Sequence, residues 1–376
     1  MDESLRMNKR GLYVHIPFCA SKCLYCDFPS WPRIMDKREQ YVQALEQEIR
    51  ARASGEEADT VFIGGGTPSL LMPDEIRRIL FALQSGYDIA EDAEITCEVN
   101  PGMVSRAFLQ AAKQGGVNRI SVGVQSFDDR LLTLIGRRHT ADKAKATVHM
   151  IADMGFDNIN VDLMFGLPFQ TMEDWTRSLD TALSLPVRHI SCYALIPEEG
   201  TPLFERVETG EWTLPDEDAE RDMYDIALNK LASRGFFRYE ISNFAVNGYA
   251  CRHNLGCWRR APYLGFGCAA HSLVDSETRL INPCDIDRYL AGEAPKKQKL
   301  SLDEQMFEAM MLGLRTKEGV KEQAFLERYG TDIQTVYADK LKRSLERGLV
   351  EWAHGALRLT NKGMNLENAV LLDLME

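Results

Sequence analysis

Three thiols stand in one short stretch, Cys19-Ala20-Ser21-Lys22-Cys23-Leu24-Tyr25-Cys26, at the end of the apolar run Leu12-Tyr13-Val14-His15-Ile16-Pro17-Phe18. Thiolates are soft ligands that suit zinc or iron–sulfur clusters. A structural zinc site wants four ligands and is usually built from C-x2-C pairs. Here the next cysteine is Cys97 and the next histidine is His139. Three cysteines on one loop can hold three irons of a cubane cluster and leave the fourth iron open to a small ligand. Residue type alone leaves zinc open, and also three ordinary core thiols, since free cysteine is among the most buried residue types.

Elements able to position such a loop follow in regular order. β-rich runs fall at Leu12–Pro17, Thr60–Gly64, Glu94–Asn100, Arg119–Gln125, Asn158–Met164 and His189–Ile196. Helical patterns lie between them at 33–53, 74–85, 104–114, 128–154 (with a break near Gly136) and 172–184. This alternation predicts a parallel sheet with right-handed crossovers, and six such units suggest a barrel or most of one. Polar signatures close successive strands: Gly64-Gly65-Gly66-Thr67-Pro68, Glu98-Val99-Asn100-Pro101, Gln125-Ser126, Asp162 and Tyr193-Ala194. In barrels of this type the C-terminal strand ends and their loops form the active site. The Gly-rich turn lets backbone approach a ligand closely, although a tight turn alone reads the same way.

A helix over 216–234 ends at Gly235, and residues 236–300 mix short aromatic strands with loops. They hold a second constellation, Cys251-Arg252-His253-Asn254-Leu255-Gly256-Cys257-Trp258. Cys268 and Cys284 lie nearby without a metal-ligand spacing. From Ser301 the chain reads as helices at Leu302–Leu314, Gln323–Tyr329 and Ile333–Arg347. A hairpin around His354-Gly355 then completes a winged-helix-like order. Residues 301–376 carry 10 Lys+Arg against 13 Asp+Glu, a net of −3. Phosphate binding needs a positive face, so a structural or partner-binding role is favoured over DNA.

The 376 residues suffice for a large domain plus a smaller one, and their 45% hydrophobic and 27% charged content is that of a soluble globular protein. A net charge of −12 disfavours nonspecific binding to nucleic acid or anionic membrane. No apolar run approaches the roughly 18 residues of a membrane span, and Met1-Asp2-Glu3-Ser4-Leu5-Arg6-Met7 lacks the apolar segment of a signal peptide. Nine cysteines, three of them clustered, argue against a secreted disulfide framework. The expected compartment is the cytoplasm.

The C-x3-C-x2-C loop resembles the radical S-adenosylmethionine (SAM) superfamily, and Tyr13-Val14-His15-Ile16-Pro17-Phe18-Cys19 resembles its HemN/HemW branch. The resemblance implies a partial (β/α)6 TIM-like radical SAM barrel over 1–235, a connecting segment over 236–300 and a HemN-type C-terminal domain over 301–376. It implies a [4Fe-4S] cluster on Cys19, Cys23 and Cys26. SAM would be contacted by Tyr13, Gly65, Gly66, Thr67, Glu98, Gln125, Arg137, Asp162 and Ala194. Glu98, Gln125, Arg137 and Asp162 singly read equally well as solvated rim groups. As a set they suit a zwitterionic nucleoside, with carboxylates for ribose hydroxyls and ammonium and a guanidinium for the carboxylate. No catalytic residue is assigned.

Two departures separate the branch's members. The oxygen-independent coproporphyrinogen III oxidase carries a further cysteine two residues after the third ligand, where this chain has Phe28 in Cys26-Asp27-Phe28. Only twelve residues precede Tyr13, too few for the oxidase's N-terminal arm. Both point to the haem-chaperone relatives, which carry an H-N-x-x-Y-W motif associated with haem. Here His253, Asn254 and Trp258 are in register and Cys257 replaces the tyrosine. His253 is then a haem ligand by resemblance, although a lone loop histidine is more often structural. The expected function is to bind haem and deliver it to an acceptor protein, which would be met peripherally if membrane-bound. An electron donor would serve the cluster, and no nucleic acid is expected. Oxidative decarboxylation of a porphyrinogen is the alternative. A nucleic-acid-modifying radical SAM enzyme is a third reading, opposed by the acidic balance.

Overall fold

The computed structural model describes residues 10–375. The stretch read above for a leader or arm, before Arg10, lies outside the described residues. Six strands, β1 (Arg10–Ile16), β2 (Glu57–Gly65), β3 (Asp88–Val99), β4 (Arg119–Gln125), β5 (Asn158–Phe165) and β6 (His189–Ala194), pair in that order and all in parallel. The crossovers carry α1 (Arg38–Ala51), α2 (Pro73–Gly86), α3 (Arg106–Gln114), α4 (Asp129–Leu134), α5 (Ala141–Asp153) and α6 (Met172–Leu183). This is the partial (β/α)6 barrel.

Its logic is the two-residue period of a strand. Leu12, Val14 and Ile16 of β1 and Ile120, Val122 and Val124 of β4 are fully buried against the helices. Each such side chain contributes roughly 1.5–3 kcal/mol. The alternate positions, Tyr13 and His15, Glu94 and Glu98, Arg119 and Ser121, Asn160 and Asp162, face the interior, which is therefore polar. On the helices, Tyr41, Val42, Leu45 and Ile49 of α1 are buried, four positions of one stripe. Ser105, Thr140 and Thr171 cap α3, α5 and α6 with their hydroxyls. The break expected near Gly136 is present, with Gly136 at φ +78° between α4 and α5.

Two expectations shift. The helix expected from 33 begins only at Arg38, after a 3-10 turn over Met35–Lys37. β3 starts at Asp88 rather than Glu94, because Asp88, Glu91 and Asp92 are exposed charges around the partly buried Ile89 and Ala90, and the stretch lacks the apolar alternation that marks the rest.

Residues 236–300, expected as a connecting segment of short strands and loops, carry short strands that extend the barrel sheet at both edges. β7 (Phe237–Arg238) and β8 (Asn243–Ala245) lie antiparallel beyond β6. β9 (Tyr263–Phe266) runs parallel to β1 and is followed by the antiparallel β10 (His271–Leu273), β11 (Thr278–Ile281) and β12 (Lys296–Lys299). The sheet order is β12-β11-β10-β9-β1-β2-β3-β4-β5-β6-β8-β7. The His-Asn segment is not a loop but a short helix, Arg252–Trp258.

The remaining residues form a second body with its own core of Met310, Leu314, Phe325, Ile333, Leu341 and Leu357. Helices over Leu302–Leu314, Glu322–Tyr329 and Ile333–Glu346 precede the hairpin Val350–Ala353/Ala356–Leu359, which turns through His354 and Gly355 at positive φ. It docks beneath the barrel, where Glu308 pairs with Arg260 at 2.8 Å and Arg328 donates to the Arg260 carbonyl at 2.9 Å. No helix among the described residues is long and apolar enough to cross a membrane.

Candidate functional site

The cysteine loop leaves β1 at the C-terminal mouth of the barrel and is anchored by residues between the thiols. Leu24 N donates to the Ile135 carbonyl at 3.1 Å, and Leu203 N donates to the Leu24 carbonyl at 3.0 Å. Leu24 and Tyr25 pack on an apolar cluster with Leu131, Ile135, Leu167 and Leu203. Cys19, Cys23 and Cys26 stay half-exposed beside this anchor, whereas Cys97, Cys192, Cys251 and Cys268 are buried. Core thiols would have been drawn into the cluster that holds Leu24.

Two donors reach the sulfurs. Arg137 Nη1 lies 3.5 Å from Cys23 Sγ and Thr67 Oγ1 lies 3.7 Å from Cys19 Sγ. Among the described residues no three His, Cys, Asp or Glu side chains converge on the position of a single metal ion. Around one zinc, thiolates sit roughly 3.7 Å apart, from bonds of about 2.3 Å in a tetrahedron. Around a cubane each thiolate takes its own iron, and no such convergence is needed. The donor set, three soft thiolates with hydrogen bonds aimed at two of them, fits an iron–sulfur cluster.

Glycine is required where the loop crosses the end of β2. A Cβ on Gly66 would lie 2.6 Å from the Phe18 carbonyl oxygen, and Gly65, at φ +107°, faces the His15 ring. Gly66 N donates to the Ile16 carbonyl at 2.7 Å. Glu98 Oε2 accepts from Gly65 N at 3.1 Å. Burial, with Asp162 as a second carboxylate, pushes the Glu98 carboxyl up to about 8. Asp162, raised by burial too, accepts from Asn160 Nδ2 at 2.7 Å and from Ser121 at 3.3 Å. His15 Nε2 sits 2.7 Å from the Pro29 carbonyl, which can only accept, so Nδ1 takes the proton of Tyr13 Oη at 2.9 Å. Gln125 closes β4 at φ +70°, a conformation costly for a residue with a Cβ. Ala194 ends β6 beside Phe165.

The strand ends thus carry Gly65, Gly66, Thr67, Glu98, Gln125 and Ala194 to one end of the barrel, and Arg137 reaches in from the α4–α5 link, while Tyr13 and Asp162 lie further down their strands, where the Tyr13 ring stacks on Phe62 and, at 6.5 Å, on His253. Arg137 Nη2 donates to Asn100 Oδ1 at 2.8 Å and to the Gly123 carbonyl. A small cleft opens here, lined by Ser21, Cys23, Thr67, Asn100 and Arg137. Asn100 and His15 escaped assignment as site residues. Their signal was present, Asn100 in Glu98-Val99-Asn100-Pro101 and His15 in the run before Cys19.

His253 lies elsewhere, at the base of the barrel. Its Nδ1 is 3.0 Å from Thr60 Oγ1, its ring stacks on Phe62 at 5.2 Å, and it is 6% exposed. Glu94 takes the backbone N–H groups of Arg252 and His253 at 3.0 and 3.1 Å and the Cys251 thiol at 3.4 Å. Burial holds the His253 imidazole down to about 4 and the Cys257 thiol up to about 11. In this conformation the ring is buried and closes the base.

A parallel barrel with a three-thiolate loop and a glycine-backed carboxylate at its mouth defines a radical SAM protein. The superfamily's sequence profile matches residues 13–182, and that of the HemN C-terminal domain matches residues 300–366. The chain is 37% identical to the haem chaperone HemW of Bacillus subtilis, over 96% of this chain and 98% of that one. It is 34% identical to the Escherichia coli HemW, over 96% and 97%. The solved structure of E. coli coproporphyrinogen III oxidase, HemN, superposes with a TM-score of 0.84 over 98% of this chain and 90% of that one. At 23% identity this is a likeness of fold. The chain belongs to the HemW family.

Proposed function

We propose that this protein is a haem chaperone that binds haem and passes it to an acceptor protein, with a [4Fe-4S] cluster and SAM at the barrel mouth. The observation that carries the reading is the near-full-length similarity to haem chaperones at 37% and 34% identity. Phe28, standing where the oxidase has a cysteine, supports it.

Cys19, Cys23 and Cys26 would hold the cluster, which when bound supplies one electron at its open iron. Tyr13, Gly65, Gly66, Thr67, Glu98, Gln125, Arg137, Asp162 and Ala194 would bind SAM. Arg137 spends three N–H groups on Cys23, Asn100 and Gly123, which leaves two of its five for a carboxylate. Glu98, neutral at rest, would ionise to meet an ammonium. A cytoplasmic location, a dedicated electron donor and a peripheral encounter with a membrane-bound acceptor complete the proposal.

Two experiments test it. Haem is titrated into the wild type and into His253→Ala. Unchanged spectra and affinity would remove His253 as the ligand and leave it as the closure of the base, whereas a lost Soret shift would mean that its helix swings out to reach haem. The reconstituted protein is also incubated anaerobically with coproporphyrinogen III, SAM and reductant. No turnover is expected, and formation of protoporphyrinogen IX would overturn the chaperone reading.

A further inference from the structure

Asn100 touches neither sulfur, yet it joins the two side chains that do. Its Oδ1 faces Arg137 Nη2 at 2.8 Å and its Nδ2 faces Thr67 Oγ1 at 2.8 Å. A guanidinium only donates, so the oxygen must face Arg137 and the amide nitrogen must face Thr67. Thr67 Oγ1 therefore accepts from Asn100, and its own proton is free to point at Cys19 Sγ, 3.7 Å away. At the other end Arg137 Nη1 donates to Cys23 Sγ at 3.5 Å. The result is one directed chain, Arg137 to Asn100 to Thr67 to Cys19, with a second donor from Arg137 onto Cys23. Both ends deliver protons toward sulfur.

We infer that Asn100 is a positioning residue that sets the reduction potential of the cluster by aiming the Thr67 and Arg137 donors at Cys19 and Cys23. This rests on the cluster assignment above. Reduction adds negative charge that spreads onto the thiolates. Donors fixed at the sulfurs therefore stabilise the reduced form and raise the potential. Asparagine alone among residues of this size offers an acceptor to Arg137 and a donor to Thr67 at once. Aspartate would accept from both and turn the threonine proton away from Cys19.

The test is a redox titration of the anaerobically reconstituted full chain, followed by the electron paramagnetic resonance of the reduced cluster. Asn100→Leu and Thr67→Val should each lower the midpoint, leaving about tenfold fewer clusters reduced at a fixed poise, the equivalent of ~59 mV for one electron. Thr67→Ser, which keeps the hydroxyl, should stay at the wild-type value. Because Asn100 acts through Thr67, the double variant should shift by less than the sum of the singles. If Asn100→Leu takes up no cluster, Asn100→Asp is measured in its place, with the same downward shift expected. Unshifted midpoints in fully loaded variants, or strictly additive shifts, would overturn the inference. A wild-type chain that binds no iron and sulfide would instead overturn the cluster assignment itself.

Discussion

The two ends of the barrel use the same residue types to opposite ends. At the mouth, Cys19, Cys23 and Cys26 are half-exposed and the donors around them point at sulfur. At the base, Cys251, His253 and Glu94 are buried and spend their hydrogen bonds on one another. Cysteine is presented at one end and consumed at the other, whereas histidine is consumed at both, His15 by the Pro29 carbonyl and Tyr13, and His253 by Thr60. A residue's chemistry is thus set by whether its neighbours leave it a free valence, which its identity does not reveal.

The sharpest way to break this contrast is to remove a thiol. Alanine at Cys19, Cys23 or Cys26 should abolish nearly all iron and sulfide uptake, measured by metal analysis and visible absorbance. The unloaded chain should keep its unfolding free energy in urea within about 0.5 kcal/mol, as expected of side chains outside the core. Unfolding of the unloaded variant would mean that the thiols are structural after all.

The base should behave in reverse. Glu94→Leu strands two buried backbone N–H groups and should cost about 3–5 kcal/mol in urea denaturation, with cluster loading per folded molecule unchanged. A cost below ~1 kcal/mol would show that Glu94 does not close the base.

Acid probes the same end. His253 is held near 4 when folded and returns to its ordinary value near 6.5 when unfolded. As pH falls from about 6.5 towards 4, the unfolded chain takes up a proton that the folded one refuses. Stability should therefore drop, by about 3 kcal/mol at the limit. His253→Gln should make that part of the pH profile shallower in thermal melts, the buried His139 and His189 supplying the rest of the slope, and an unchanged slope would show that the ring titrates freely.

The smallest effect is expected at the mouth. Gln125→Gly relieves a left-handed backbone and should stabilise the chain by up to about 1 kcal/mol, while SAM affinity, read by equilibrium dialysis, falls. Unchanged SAM affinity would remove Gln125 from the proposed site.

Most of the barrel was legible because β-rich runs alternate with helical patterns six times over, an order that survives in sequence whatever the loops do. Arg252–Trp258 was not. It is short, contains Gly256, and its first N–H groups are capped by Glu94, a residue 158 positions away. A cap from so far along the chain leaves no local signature, and the segment read as a loop. The first half of β3 was hidden for a different reason, since only Asp88 and Ile89 pair with β2 before the register shifts, and the charges around them carry no strand pattern. At the mouth, type and spacing marked the thiols, but the role of Asn100 depends on which atom faces which partner. Only the assembled site carries that information.

β1 also carries a consequence for assembly. It is the strand from which the thiol loop springs, and its two neighbours are β2, about fifty residues on, and β9, which begins at Tyr263. During synthesis the strand therefore stays half-paired until some 250 further residues have been made, a long wait at roughly 5–20 residues per second. Contacts so distant in sequence are among the slowest to form. The loop that arrives first on the ribosome is framed among the last, and loading of iron and sulfide should follow completion of the barrel rather than accompany its early folding.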